Sequence, residues 1–225
     1  IDYGPCAFMD IYDPKAVFSS IDKMGRYAYC NQPAIAKWNL ARFAECLIPL
    51  INKDFDKAID IATQKINSFE KQYEEKWIVM MKNKLGLFNS EESDKSLILD
   101  LLTWMHKKKA DYTNTFCDLM DLGPKKEVIY NDIDFIEWKK RWKKRILKNN
   151  NTKKKSVELM RNHNPLVIPR NHRVEEVLVS AEEGNLEPLN NFLKILENPY
   201  NKQKNTSNFQ SLSGSNKKYV TFCGT

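Results

Sequence analysis

From Phe55 onward, apolar residues return at alternating steps of three and four: Phe55, Ile59, Ala62, Ile66, Phe69, Tyr73 and Trp77. This is the period of an α-helix with one buried face, and it does not suit a strand. Asp54 stands where an N-cap belongs and Gly86 where such a helix would stop, so the spacing predicts one long helix between them. Leu40, Phe43, Leu47 and Leu50 mark an earlier stripe. It follows Pro33, whose missing N–H costs nothing in a first turn, and Pro49 predicts a kink or stop near its end. Ile98, Leu101, Leu102 and Met105 begin another stripe, which the lysines at 107–109 bring to the surface. Tyr112, Phe116, Leu119 and Met120 form a further piece, stopped by Gly123-Pro124. Residues 174–196 read as two helices parted at Gly184, with Leu189, Phe192, Leu193 and Leu196 on the second one's inner face. A mainly α chain is expected.

Its 225 residues, 42% of them hydrophobic, suffice for one sizeable core or two small ones. Five cysteines, Cys6, Cys30, Cys46, Cys117 and Cys223, form no C-x-x-C pair, and three sit among apolar residues as core fillers would. A reducing compartment is the simpler expectation. Neither an apolar run of 18 residues nor a charged-then-apolar leader is visible, so no membrane partner is expected. A chain that begins at Ile1 is expected to be a piece of a longer one, in which any leader would lie outside it.

Much of the net charge of +7 falls in WKKRWKKRILKNNNTKKK, residues 138–155. Such a block can grip phosphate backbones by releasing their counterions. Phe135, Trp138, Trp142 and Ile146 recur at helical spacing, however, which puts the cations between them on a solvated face, followed by an Asn/Lys loop. Nucleic acid is therefore not the expected partner, although a non-catalytic binding module using 138–155 is the alternative from a different class.

Residues 1–33 are turn-rich, with Gly4-Pro5, Asp13-Pro14, Gly25 and Pro33, and read as an irregular segment laid over a surface. Residues 34–198 read as the helical body. The stretch 199–225 reads as a mobile polar tail ending in YVTFCGT, an apolar terminus expected to dock as a strand. All three are expected to form one structural domain.

The first segment carries the chemistry. In IDYGP one acid, Asp2, ends a short apolar strand just before a backbone-permissive glycine, a layout that can hold a hard divalent cation beside a phosphate chain. Protein kinases use Asp-Phe-Gly in this way, and Asp2-Tyr3-Gly4 matches that layout. Spacing alone leaves an ordinary Asp-x-Gly turn as the commoner explanation. Asp10 and Asp13 lie close enough to Asp2 in sequence to suggest a carboxylate cluster, with a turn cap at Asp13-Pro14 as the alternative. His172 reads as a capping or buried polar group at a helix entrance. Arg26 and Asn31-Gln32-Pro33 read as fold-fixing or as contacts to a protein substrate.

IDYGPCAFMDIYDP, VFSSID, GRYAYCNQPAIAKWNLARFAECLIPLI, NPLVIPRNHRVEEVL and the terminal YVTFCGT together resemble the SelO family (selenoprotein O, also called YdiU). The resemblance covers essentially the whole chain. It implies the C-terminal lobe and helical extension of a protein-kinase-like fold, with the pseudokinase-type chemistry of an adenylyltransferase that transfers AMP from ATP to Ser, Thr or Tyr hydroxyls of proteins. It implies that Asp2 is the metal ligand and, through Mg²⁺ or Mn²⁺, binds ATP. The catalytic base and most ATP-binding residues are expected upstream of Ile1, so no catalytic residue is expected in this chain and the chain alone is expected to be inactive. Phosphoryl transfer, as in an ordinary kinase, is the alternative within the fold.

Some family members pair a cysteine after the Asp-Pro step with one at the C-terminus. Here Phe18 stands at the first position and Cys223 at the second, with Cys6 and Cys30 as the nearby alternatives. A bacterial member is expected in the cytoplasm, a eukaryotic one in the mitochondrion.

Overall fold

The computed structural model describes residues 8–123, 128–149, 152–204 and 206–212. Ten α-helices are found among them: α1 (Gln32–Ile51), α2 (Phe55–Asn67), α3 (Phe69–Lys84), α4 (Asp94–Lys108), α5 (Tyr112–Leu119), α6 (Ile133–Leu147), α7 (Lys153–His163), α8 (Asn171–Glu182), α9 (Glu187–Glu197) and α10 (Thr206–Gln210). An isolated antiparallel bridge pairs Ile11 with Asp111. The mainly α expectation holds. No helix among the described residues is long and apolar enough to cross a membrane.

The core is built on α4. Leu97, Ile98, Leu101, Leu102, Trp104 and Met105 are all buried, against Phe116 and Cys117 of α5, Phe135, Trp138 and Trp142 of α6, Met81 of α3 and Met160 of α7. Trp104, Phe135, Trp138 and Trp142 stack in sequence, with successive ring centroids 4.4, 5.8 and 6.1 Å apart. Each indole N–H in this ladder is satisfied, as burial demands. Trp104 donates to Asp132 Oδ1 (2.9 Å), Trp138 to the Leu97 carbonyl (2.8 Å) and Trp142 to the Leu85 carbonyl (2.9 Å).

Two sequence expectations need correction here. The long helix from Phe55 breaks at Ser68 into α2 and α3, and Ser68 Oγ donates back to the Lys65 carbonyl at 2.7 Å. A serine can offer its own hydroxyl to the backbone in this way, so it interrupts a helix without disturbing the apolar period. The Asn/Lys loop is shorter than expected, because Thr152 caps Lys155 N and Lys153, Lys154 and Lys155 open α7.

Arg145 is buried despite lying in the basic run of α6. Its Nε and Nη2 donate to the two oxygens of Asp94 at 2.6 and 3.0 Å, and its Nη1 to Asn149 Oδ1 at 3.0 Å. Lys139, Lys140, Arg141 and Lys148 also pair with carboxylates, those of Asp118, Glu137, Asp100 and Glu91. Much of the cationic stretch is thus neutralised within the fold, which weakens the phosphate-gripping alternative.

The candidate active-site segment

Asp2, Cys6 and Cys223 lie outside the described residues. The chain that follows Asp2 is described from Phe8 and is held at several points. Tyr12 N donates to the Ala110 carbonyl (3.0 Å) and Tyr112 N to the Asp10 carbonyl (2.8 Å), the two bonds of the bridge. Tyr12 stacks on Tyr112 at 5.7 Å and meets Tyr29 edge-on at 6.2 Å. Asn171 Nδ2 donates to the Phe8 carbonyl at 3.1 Å.

The strongest tie is electrostatic. Arg170, fully buried at the entrance to α8, donates through Nη1 to Asp10 and to Asp111 (2.7 Å for the latter) and through Nη2 to Asn114 Oδ1 at 3.2 Å. Asp111 also caps α5, accepting from Asn114 N at 2.6 Å. Burial pushes the Asp111 carboxyl up, and Arg170 pulls it back. Burial lowers the guanidinium, but Asp111 and Asp10 more than offset this and hold it above its usual value. One cation thus joins three stretches far apart in sequence: the segment after Asp2, the start of α5 and the start of α8.

The remaining candidates have local duties. Asp13 Oδ1 accepts from Lys15 N at 2.9 Å, the turn cap expected at Asp13-Pro14. Asp22 accepts from Arg26 N and Tyr27 N, both at 2.8 Å, and Asn31 Nδ2 closes the same loop on the carbonyl of Gly25, which sits at φ +68°. The Arg26 guanidinium lies 4.7 Å from the Trp38 ring centroid. His172 is half-buried and does not cap α8. Burial, then Arg173, pushes its pKa down, and its Nδ1 is buried without a hydrogen-bond partner among the described residues. Of the three described cysteines only Cys117 is a core filler, its thiol pushed up to about 12 by burial; Cys30 and Cys46 are exposed.

A cavity of about 320 Å³ is lined by Phe8, Phe18, Tyr27 and Tyr29 of the segment together with Tyr112 and Lys84 of the helical body. Lys84 is buried with its Nζ 4.4 Å from the Phe116 ring centroid and 5.3 Å from that of Tyr112. Desolvation lowers it from 10.5 to about 8. Among the described residues no group of three or more His, Cys, Asp or Glu could hold a metal ion. Asp10 pairs with Arg170 and Asp13 caps its turn, and Asp2, the third member of the expected carboxylate cluster, lies outside the described residues.

Arg170, Asp111, Asn114 and Lys84 were not singled out from the sequence. Asp111, one residue ahead of the Tyr112 stripe, carried a readable N-cap signal; the other three depend on partners 56 or more residues away, or on burial, which leave no local mark.

A helical body thus holds the segment from Phe8 in place, and comparison with known proteins gives the family. The profile of the protein adenylyltransferase SelO matches residues 1–197. Over its whole length the chain is 55% identical to the protein nucleotidyltransferase YdiU of Pelagibacter ubique, 50% to that of Alcanivorax borkumensis and 48% to that of Clostridium perfringens. It covers 47%, 47% and 46% of these proteins, so the chain spans about half the length of the curated relatives it matches. The chain belongs to the SelO family.

Proposed function

We propose that this chain is part of a protein adenylyltransferase that moves AMP from ATP to Ser, Thr or Tyr hydroxyls of other proteins. The family match over residues 1–197 carries the reading. In this reaction the acceptor oxygen bonds to the α-phosphorus, the bond from that phosphorus to the bridging oxygen of the β-phosphate breaks, and pyrophosphate leaves. The hydroxyl proton passes to a base that this chain is not expected to hold.

The chain's own contribution is the segment that begins with Asp2. Asp2 is proposed as the carboxylate that holds Mg²⁺, or Mn²⁺ in its place, against the ATP phosphates. When bound, such an ion supplies charge stabilisation for the departing pyrophosphate. Arg170, through Asp10 and Asp111, fixes the continuation of that segment on the helical body, which in this reading is the C-terminal lobe of a kinase-like fold. Positioning of this kind determines how well a catalytic group is preorganised. The bacterial relatives suggest a bacterial cytoplasmic enzyme.

The test uses the full-length polypeptide with ATP, magnesium and a protein acceptor, read by mass spectrometry. An adenylyl adduct lost in Asp2→Ala is expected, and the isolated 225-residue chain should give none. A phosphoryl adduct instead would establish the kinase alternative.

A further inference from the structure

The stripe of Leu40, Phe43, Leu47 and Leu50, which the sequence marks as the inner face of α1, is the face that the structure leaves open. At about 100° per residue these four side chains fall within an arc of about 80°. Yet Leu40 is 40% exposed, Phe43 60% and Leu50 81%, with Leu47 half-buried among them. α1 packs on α2 through a neighbouring face, where Ala44, Ile48 and Ile51 meet Ala58 and Ala62. In all of this 20-residue helix only Ile48 is buried. On the other side of the α1–α2 contact an open groove of about 480 Å³ lies between the two helices, lined by Ala41, Ile48, Pro49, Phe55, Ile59 and Ile66 among others but by none of the four stripe residues. Phe55 and Ile59 are themselves exposed. A helix that is apolar around most of its circumference belongs inside a fold, and a contiguous apolar surface of this kind marks an interface.

We infer that the Leu40–Phe43–Leu47–Leu50 face of α1 is the seat of the part of the polypeptide that the relatives carry and this chain does not span. That part is about as long as the chain itself, since the chain covers 47% of the first relative. The spacing of three, four and three presents ridges into which a second helix packs. A second copy of this chain is disfavoured as occupant because each copy has a net charge of +7. The inference does not depend on which group the enzyme transfers.

The experiment compares the 225-residue chain with a whole polypeptide made by joining it to the remaining half of the Pelagibacter ubique relative. Phe43→Cys is introduced into both, and alkylation of the new thiol is followed peptide by peptide in the mass spectrometer. Glu182→Cys, on exposed α8, serves as the control. Labelling at position 43 should be at least tenfold slower in the whole polypeptide, with the control unchanged. Equal rates at position 43 in the two proteins would overturn the inference. So would protection that appears in the isolated chain as its concentration rises, which would give the seat to a second copy. A combined Leu40→Asp and Phe43→Asp variant supplies the second readout: it should leave the helical circular dichroism of the isolated chain unchanged and lower the melting temperature of the whole polypeptide. A melting temperature unaltered in the whole polypeptide would count against the seat.

Discussion

The α1–α2 hairpin and the α4–α6 core use the same device, apolar residues at helical spacing, with opposite results. In α4 the stripe is enclosed: Ile98, Leu101 and Met105 are wholly buried among α3, α5, α6 and α7. In α1 a stripe of equal regularity faces outward, and the hairpin's buried cluster is limited to Ile48, Ala58 and Ala62 with Ala44 and Ile51 beside it. Periodicity therefore reports which face of a helix seeks cover, and the rest of the chain decides whether cover is present. The α4–α6 region is an enclosed core, whereas the outer face of the hairpin is open among the described residues.

The sharpest way to break this contrast is to remove one aromatic ring from each region of the isolated chain. Phe116 is fully buried, and Phe116→Ala should cost about 3–5 kcal/mol in a urea titration, the transfer loss plus the cavity left behind. Phe43→Ala should fall within about 0.5 kcal/mol of the parent, as an exposed substitution does. Comparable losses at the two positions would mean that the hairpin is enclosed in solution. Arg170→Met addresses the tie between the core and the candidate active-site segment. It leaves Asp111 buried without its cation and should cost about 3–5 kcal/mol, measured the same way, whereas breaking the exposed pair Arg141–Asp100 should cost under about 1 kcal/mol.

These residues also show how far the sequence could be read. The stripes of α4, α5 and α6 were legible because helical period and burial coincide there. The break at Ser68 was not, since the apolar period of α2 runs on into α3 in phase and the interruption is a side-chain-to-backbone bond. Leu193, expected on the inner face of α9, is 50% exposed while Phe192 beside it is buried, because one residue of rotation separates a buried position from a rim position. Within the site, Asp2-Tyr3-Gly4 was legible as a motif and Asp13 as a turn cap. The clamp of Arg170 on Asp10 and Asp111 was not, because it is made across 160 and 59 residues of sequence. Long-range ion pairs leave no periodic trace.

Lys84 sharpens the comparison through pH. Its ammonium is buried in the core side of the cavity and titrates near 8 instead of 10.5. The native state therefore binds fewer protons than the unfolded chain between these two values, and the contribution of Lys84 to stability rises with pH across that window. Below pH 8 the penalty is fully present, about 3 kcal/mol at a shift of this size. Lys84→Met should accordingly be more stabilising at pH 7 than at pH 10, a difference read from paired denaturation curves. An equal effect of Lys84→Met at both pH values would mean that water reaches the ammonium freely.

The smallest expected effect compares one capping device in the two regions. Asp54 and Asp111 each accept from the backbone N–H three residues ahead, at 3.2 and 2.6 Å. Asp54 stands in solvent at the entrance to α2, so Asp54→Ala removes one partner for an orphan N–H that water can replace. The loss should be about 1 kcal/mol, with Asp54→Asn nearly neutral because the amide oxygen accepts the same bond. Asp111 has no such substitute. It is buried, and its other oxygen answers Arg170, so an amide keeps the cap while removing the counter-charge. Asp111→Asn should therefore cost clearly more than Asp54→Asn in the same titration. If the two asparagine variants are equally mild, the cap is all that Asp111 provides, and Asp10 alone supplies the counter-charge that ties Arg170 to the candidate active-site segment.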